Sequence, residues 1–156
     1  MMNLACKVIA NLAGKTLATA ESCTGGGIGA VLTAVPGSSA VYKGGIISYT
    51  NEVKEKLLGV SAQVLSVYGA VSAPVAEAMA QGARRTLEAD IAVSVTGLAG
   101  PGGDEFGNPV GTVFVGYADK ECVVSKEFHF EGDRETVRQQ TIAAALQTVL
   151  ENNRSS

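Results

Sequence analysis

The sequence predicts an α/β fold with helices on both faces of a mixed sheet, and three observations carry that expectation. Strand-like apolar runs alternate with helical stretches along the whole chain, an order that builds a sheet covered on both sides. The chain has 156 residues, 46% of them hydrophobic and 17% charged, which suits one domain, residues 1–156, with an aliphatic core. Glycine is the outlier at 19 with no repeating period, so the surplus belongs to tight turns.

Each element has its own signal. A short helix over about Leu4 to Leu12 is followed by a small-residue strand, Thr16 to Ala20, and a glycine-rich turn opening a second helix near Gly26 to Ala34. Pro36-Gly37 closes that helix. Tyr42 to Thr50 reads as a strand, and Asn51 to Leu58 as a short helix with Asn51 as its cap. Another short helix follows Ser61. Pro74 near a helix start, with Val75, Met79 and Leu87 at helical spacing, predicts a helix to about Glu88. A buried strand, Ile91 to Val95, leads into a long loop, Thr96 to Pro109, too rich in glycine for a regular element. Gly111 to Tyr117 and Cys122 to Phe130 form a hairpin turning at Asp119-Lys120. The last helix is capped by Asp133 and runs to about Glu151, burying Ile142, Leu146, Val149 and Leu150.

Composition excludes several classes of function. A formal net charge of −3 argues against a general nucleic-acid binder, which needs excess lysine and arginine to displace counterions. No apolar run approaches the roughly 18 to 20 residues of a membrane span, and Met1 to Ala10 lacks the layout of a signal peptide. A cytoplasmic location is expected. Cys6, Cys23 and Cys122 are far apart and odd in number, so reduced thiols are expected. With His129 as the one histidine, the usual ligand set for zinc is missing, and a metal site would have to be made of carboxylates alone.

Two nucleotide-loop patterns fail or stay weak. Ala13-Gly14-Lys15-Thr16 ends like a P-loop, but Ile9 stands where the first glycine is required. Gly25 to Ala30 fits a permissive dinucleotide pattern that chance produces readily in such a stretch. The preceding segment, Ala20-Glu21-Ser22-Cys23-Thr24-Gly25-Gly26, is more informative. It puts hydroxyls and a thiol on a strand-to-helix turn, where helix-start amides can stabilise a phosphate or an oxyanion; equally, Ser22 or Thr24 can be a plain helix cap. A serine nucleophile needs a base, and His129 in Phe128-His129-Phe130 is a poor one. A lysine with a depressed pKa is the alternative, with Lys54 and Lys43 as candidates. Lys54 lies one turn past Asn51, where it can point back towards Ser22 on a neighbouring parallel strand. The loop from Thr96 to Gly103 also follows a strand, so two loops can meet outside the strand ends, where α/β folds bind ligands. Arg134 and Arg138 share a helix face and can reach a phosphate, or simply pair with Glu135 or Glu131.

Taken in order, AESCTGG (Ala20 to Gly26), YKGGIISYTNEVK (Tyr42 to Lys54), LGV (Leu58 to Val60), GAVS (Gly69 to Ser72), TGLAGPGG (Thr96 to Gly103), PVGTV (Pro109 to Val113) and GDR (Gly132 to Arg134) resemble the CinA C-terminal domain family. Its stand-alone members include nicotinamide-nucleotide amidases, and the resemblance covers nearly the whole chain. It implies a three-layer α/β/α sandwich with a mainly parallel sheet. It further implies hydrolysis of the carboxamide of nicotinamide mononucleotide to nicotinate mononucleotide and ammonia, without cofactor or metal. Carried onto matching positions, Ser22 is the nucleophile, Lys54 the general base, and Tyr49 a third member that relays the proton or orients the lysine. Thr24, Gly25, Gly26, Ser48, Thr96, Gly97, Ala99 and Gly100 surround the substrate, and Arg138 holds its phosphate. Cys23 is an alternative nucleophile, and Gly27 stands where relatives often have a larger residue. A homodimer or higher homo-oligomer is plausible for the family. Many relatives carry a further N-terminal domain linked to ADP-ribose pyrophosphatase activity, which is not expected here. The alternative reading is a catalytically silent pyridine-nucleotide-binding regulatory module linked to competence or DNA damage.

Overall fold

The computed structural model describes residues 1–153. It contains helices α1 (Met2–Asn11), α2 (Gly27–Thr33), α3 (Asn51–Leu58), α4 (Ala62–Tyr68), α5 (Ala73–Thr86) and α6 (Arg134–Asn152), and strands β1 (Leu17–Glu21), β2 (Tyr42–Ile47), β3 (Ile91–Gly97), β4 (Thr112–Ala118) and β5 (Val123–His129). The sheet order is β2-β1-β3-β4-β5. β1 pairs in parallel with β2 and β3, while β4 runs antiparallel to both β3 and β5. Four strands therefore share one direction and β4 alone is reversed.

Period-two alternation divides the sheet's side chains between two helical layers. Leu17, Ile91, Val93, Val95, Val113, Val115 and Tyr117 face α1, α2 and α6, meeting Val8, Ile28, Leu32, Ile142 and Leu146 in one core. Ala18, Ala20 and Ala92 face the other way, against Leu58, Leu65, Val75, Met79 and Ala83 of α3, α4 and α5. Small residues dominate this second face, so α5 approaches the sheet closely: Ser94 donates its hydroxyl hydrogen to the Ala76 carbonyl. The central strands β1, β3 and β4 are almost wholly buried, whereas edge strands β2 and β5 alternate.

Local chemistry sets the boundaries. Ser61 and Asp133 accept first-turn amides of α4 and α6 at 3.0 and 2.9 Å, and Pro74 sits in the first turn of α5. Two expectations shift. The cap of α3 is Thr50, whose Oγ1 accepts the Val53 amide at 3.3 Å, because β2 ends at Ile47 and leaves Ser48 to Thr50 to turn the chain; Asn51 is already helical. Thr96 and Gly97 belong to β3, since β4 pairs Phe114 and Val113 against them.

Candidate active site

The carboxyl ends of β2, β1 and β3 lie side by side, with Glu21 in register with Ile47 and Val95. Pairing continues one residue further on both sides: the Ser48 amide donates to the Glu21 carbonyl (2.8 Å) and the Ser22 amide to Val95 (3.2 Å). Ser22 is thereby pinned as the first residue past the sheet. Gly25 and Gly26 follow at φ +59° and +102°, left-handed values that suit glycine and bring the chain into α2 within a few residues.

α3 rises from the neighbouring strand end and carries Lys54 inward; the side chain is 1% exposed. Its Nζ lies 3.1 Å from Ser22 Oγ, 2.7 Å from the Ser48 carbonyl oxygen and 3.5 Å from that of Tyr49. No carboxylate among the described residues pairs with it, and burial pulls its pKa down from 10.5 to about 8. In the neutral amine, two N–H groups stay on the two carbonyls and the lone pair faces the serine hydroxyl. Lys43, the other candidate base, is exposed and donates to the Glu88 carbonyl (3.2 Å). His129 sits on edge strand β5, paired with Glu127 at 2.7 Å and separated from β1 by two strands.

Ser22 and Lys54 stand in a cleft of about 290 Å³, lined also by Cys23, Tyr49, Asn51, Thr96 to Gly100, Gly102 and Arg134. Arg134, at the start of α6, donates to the Gly100 carbonyl and to the Tyr49 hydroxyl (3.1 Å), tying two loops together at the cleft mouth. Tyr49 is 60% exposed and reaches Lys54 through its backbone, not its phenol. Beside the cleft, sharing Asn51, Val71 and Leu98, lies a cavity of about 540 Å³ whose wall carries Glu55, Asp104, Glu105 and Phe106. The cations thus line the serine's cleft, and the carboxylates line the adjoining cavity.

Several sequence-assigned positions lie outside the cleft lining. The Thr24 hydroxyl is buried and donates to Glu21 (2.7 Å); the Gly25 amide is taken by the Ser22 carbonyl (3.1 Å); Gly26 closes the turn against Ile47. Ser48 offers its carbonyl to Lys54, while its buried hydroxyl has no partner among the described residues. Arg138 is spent on the Cys23 and Thr24 carbonyls (3.1 and 3.0 Å) and on Glu135 (3.0 Å). It buttresses the turn, and the arginine facing the cleft is Arg134. At Gly27, an added Cβ would come within 2.6 Å of Ile142 Cδ1, so Ile142 fills the space that a larger residue would occupy.

Two residues not expected from sequence belong to the site: Asn51 on the cleft wall and buried Glu21 beneath it. A glutamate ending the otherwise uncharged strand Leu17-Ala18-Thr19-Ala20 was the available signal, because a charge leaving a buried strand needs partners.

Cys23 is 6% exposed and burial pushes its thiol up to about 11, so it holds no thiolate at neutral pH. Iodoacetamide at pH 7 is expected to alkylate exposed Cys6 and Cys122 while sparing Cys23, as read by peptide mass spectrometry. Rapid labelling of Cys23 would return it to consideration as nucleophile.

The family model described as the CinA C-terminal domain matches residues 2–152. A CinA-like protein of Geobacter metallireducens is 50% identical over 133 residues, covering 85% of this chain and 32% of its own length. One from Parasynechococcus marenigrum is 50% identical over 148 residues, covering 92% and 35%. The chain spans about a third of the length of these curated relatives. Among solved structures, the competence damage-inducible protein A of Klebsiella pneumoniae superposes with a TM-score of 0.94 at 37% identity, covering 97% of this chain and 95% of that one. The competence/damage inducible protein of Agrobacterium tumefaciens gives 0.94 at 39%, covering 98% and 95%.

Proposed function

This chain belongs to the CinA C-terminal domain family, and from that membership and its serine–lysine pair we propose that it hydrolyses the carboxamide of nicotinamide mononucleotide to nicotinate mononucleotide and ammonia. The observation that carries the reading is a buried, carboxylate-free lysine amine 3.1 Å from a serine hydroxyl at the floor of a cleft. Neutral Lys54 takes the Ser22 proton as Oγ attacks the carboxamide carbon, then delivers it to the departing ammonia, leaving an ester on Ser22. Water attacks that ester, gives its proton to Lys54, and the serine leaves with it. The amide of Cys23, which lines the cleft and has no backbone acceptor among the described residues, is the donor we assign to the oxyanion. Arg134 takes the phosphate; the acidic wall of the adjoining cavity repels it.

The test is ammonia release by the purified protein. Turnover requires the unprotonated amine, whose pKa is about 8. kcat/KM is therefore expected to fall about tenfold per pH unit below 8 and to level off above it. Thermal stabilisation by nicotinamide mononucleotide without ammonia release would instead favour the regulatory module. Turnover of a different amide would keep the dyad and change the substrate.

A further inference from the structure

We propose that Glu21 is the positioning residue of the serine turn: one buried carboxylate that ties the middle of the segment from Ser22 to Gly26, and the helix start beyond it, back to β1 and so holds Ser22 Oγ on Lys54. This inference rests on the reading of Ser22 as nucleophile.

Glu21 is 2% exposed and its two oxygens accept four hydrogen bonds. Oε1 takes the Thr24 hydroxyl (2.7 Å) and the Ile28 amide (2.8 Å); Oε2 takes the Thr19 hydroxyl (3.2 Å) and the Gly29 amide (2.9 Å). The residue before the serine thus grips the middle of the turn and the first turn of α2 beyond it. Thr19 is in turn 2.7 Å from the Tyr42 hydroxyl. Gly29 and Gly45 both border this relay: a Cβ on either would lie within 2.7 Å of the Tyr42 oxygen. Five residues of β1, β2 and α2 therefore make room for, or brace, one carboxylate that the proposed chemistry never touches.

The donor set requires an acceptor on each oxygen. Each pairs with one hydroxyl, which can rotate, and one backbone amide, which cannot. A glutamine would turn an NH₂ group onto either the Ile28 or the Gly29 amide whichever way it flips. The clamp would open at one end without any change in side-chain volume. Displacement of a reacting atom by about 1 Å costs up to roughly a hundredfold in rate, so the clamp's effect belongs in kcat and in the reactivity of Ser22.

Glu21→Gln and the parent are compared by circular dichroism, steady-state kinetics on nicotinamide mononucleotide, and the rate at which a fluorophosphonate labels Ser22. The folded variant is expected to lose about ten- to hundredfold in kcat, with KM within about threefold, and to lose labelling rate by the same factor. A folded variant that melts earlier but matches the parent's kcat and labelling rate within about twofold would overturn the proposal and leave Glu21 merely stabilising. If Glu21→Gln does not fold, Thr24→Val carries the test, with an expected loss of about three- to tenfold in labelling; an unchanged rate overturns it. Labelling needs no substrate, so a parent that labels at Ser22 but releases no ammonia refutes the amidase reading alone. A parent that does not label overturns both.

Discussion

Lys54→Met is expected to abolish ammonia release, by at least about a thousandfold, and at the same time to make the protein more stable below pH 8. Both follow from one placement. The amine sits at 1% exposure without a carboxylate, and its folded pKa of about 8 lies below the roughly 10.4 of an unfolded lysine. Between those values the unfolded chain binds more protons than the folded one, so stability rises with pH across that window. Below pH 8 the full cost of burying the lysine is present; above about 10.4 it is gone. Methionine fills a similar volume and removes that cost, in the manner of sites where function is kept against stability. Ser22→Ala should lose activity to a similar extent without the pH-linked gain. The double variant should be no worse than either, since the two act as a unit. Ammonia release, with urea denaturation at pH 6 and pH 10, checks all of this. A folded Lys54→Met protein working within tenfold of the parent would end the dyad, and one less stable than the parent at pH 6 would end the account of the depressed pKa.

Gly82→Ala should destabilise the fold by about 3 kcal/mol or more, lowering Tm by roughly 10 °C for a chain of this size. An added Cβ on this α5 residue would overlap the Leu58 carbonyl oxygen, far inside van der Waals contact, at the end of the helix that carries Lys54. The obstacle is backbone, so relief requires α3 and α5 to separate, and the lysine moves with α3. Gly27→Ala meets only the tip of Ile142, which can rotate aside, and should cost about 1 kcal/mol. Thermal melts of the two variants check the contrast; equal shifts would show that the α3–α5 approach is not the constraint.

Much of this molecule was legible in local signals. Asp133 and Ser61 cap the helices expected of them, Ile142, Leu146 and Val149 form the buried stripe of α6, and the alternating elements assemble into a covered mixed sheet. Errors gathered where a distant partner decides. Thr96 and Gly97 read as loop because their local composition is loop-like, yet β4 pairs with them. Thr50 displaced Asn51 as cap because β2 stops at Ile47, where its neighbour β1 also ends.

What the sequence determined by itself was the order of the elements, the serine at a strand-to-helix turn and the lysine one turn into the next helix. These rest on periodicity, capping and turn chemistry, which act over a few residues. Only the tertiary structure decided which arginine faces the cleft, which turn amides are already spent, and that a glutamate lies beneath the serine. Arg138 is captured by carbonyls 115 and 114 positions away, while Arg134 meets Tyr49 across 85. Competition for hydrogen-bond partners, and the loss of water that depresses Lys54, arise only when distant segments pack together.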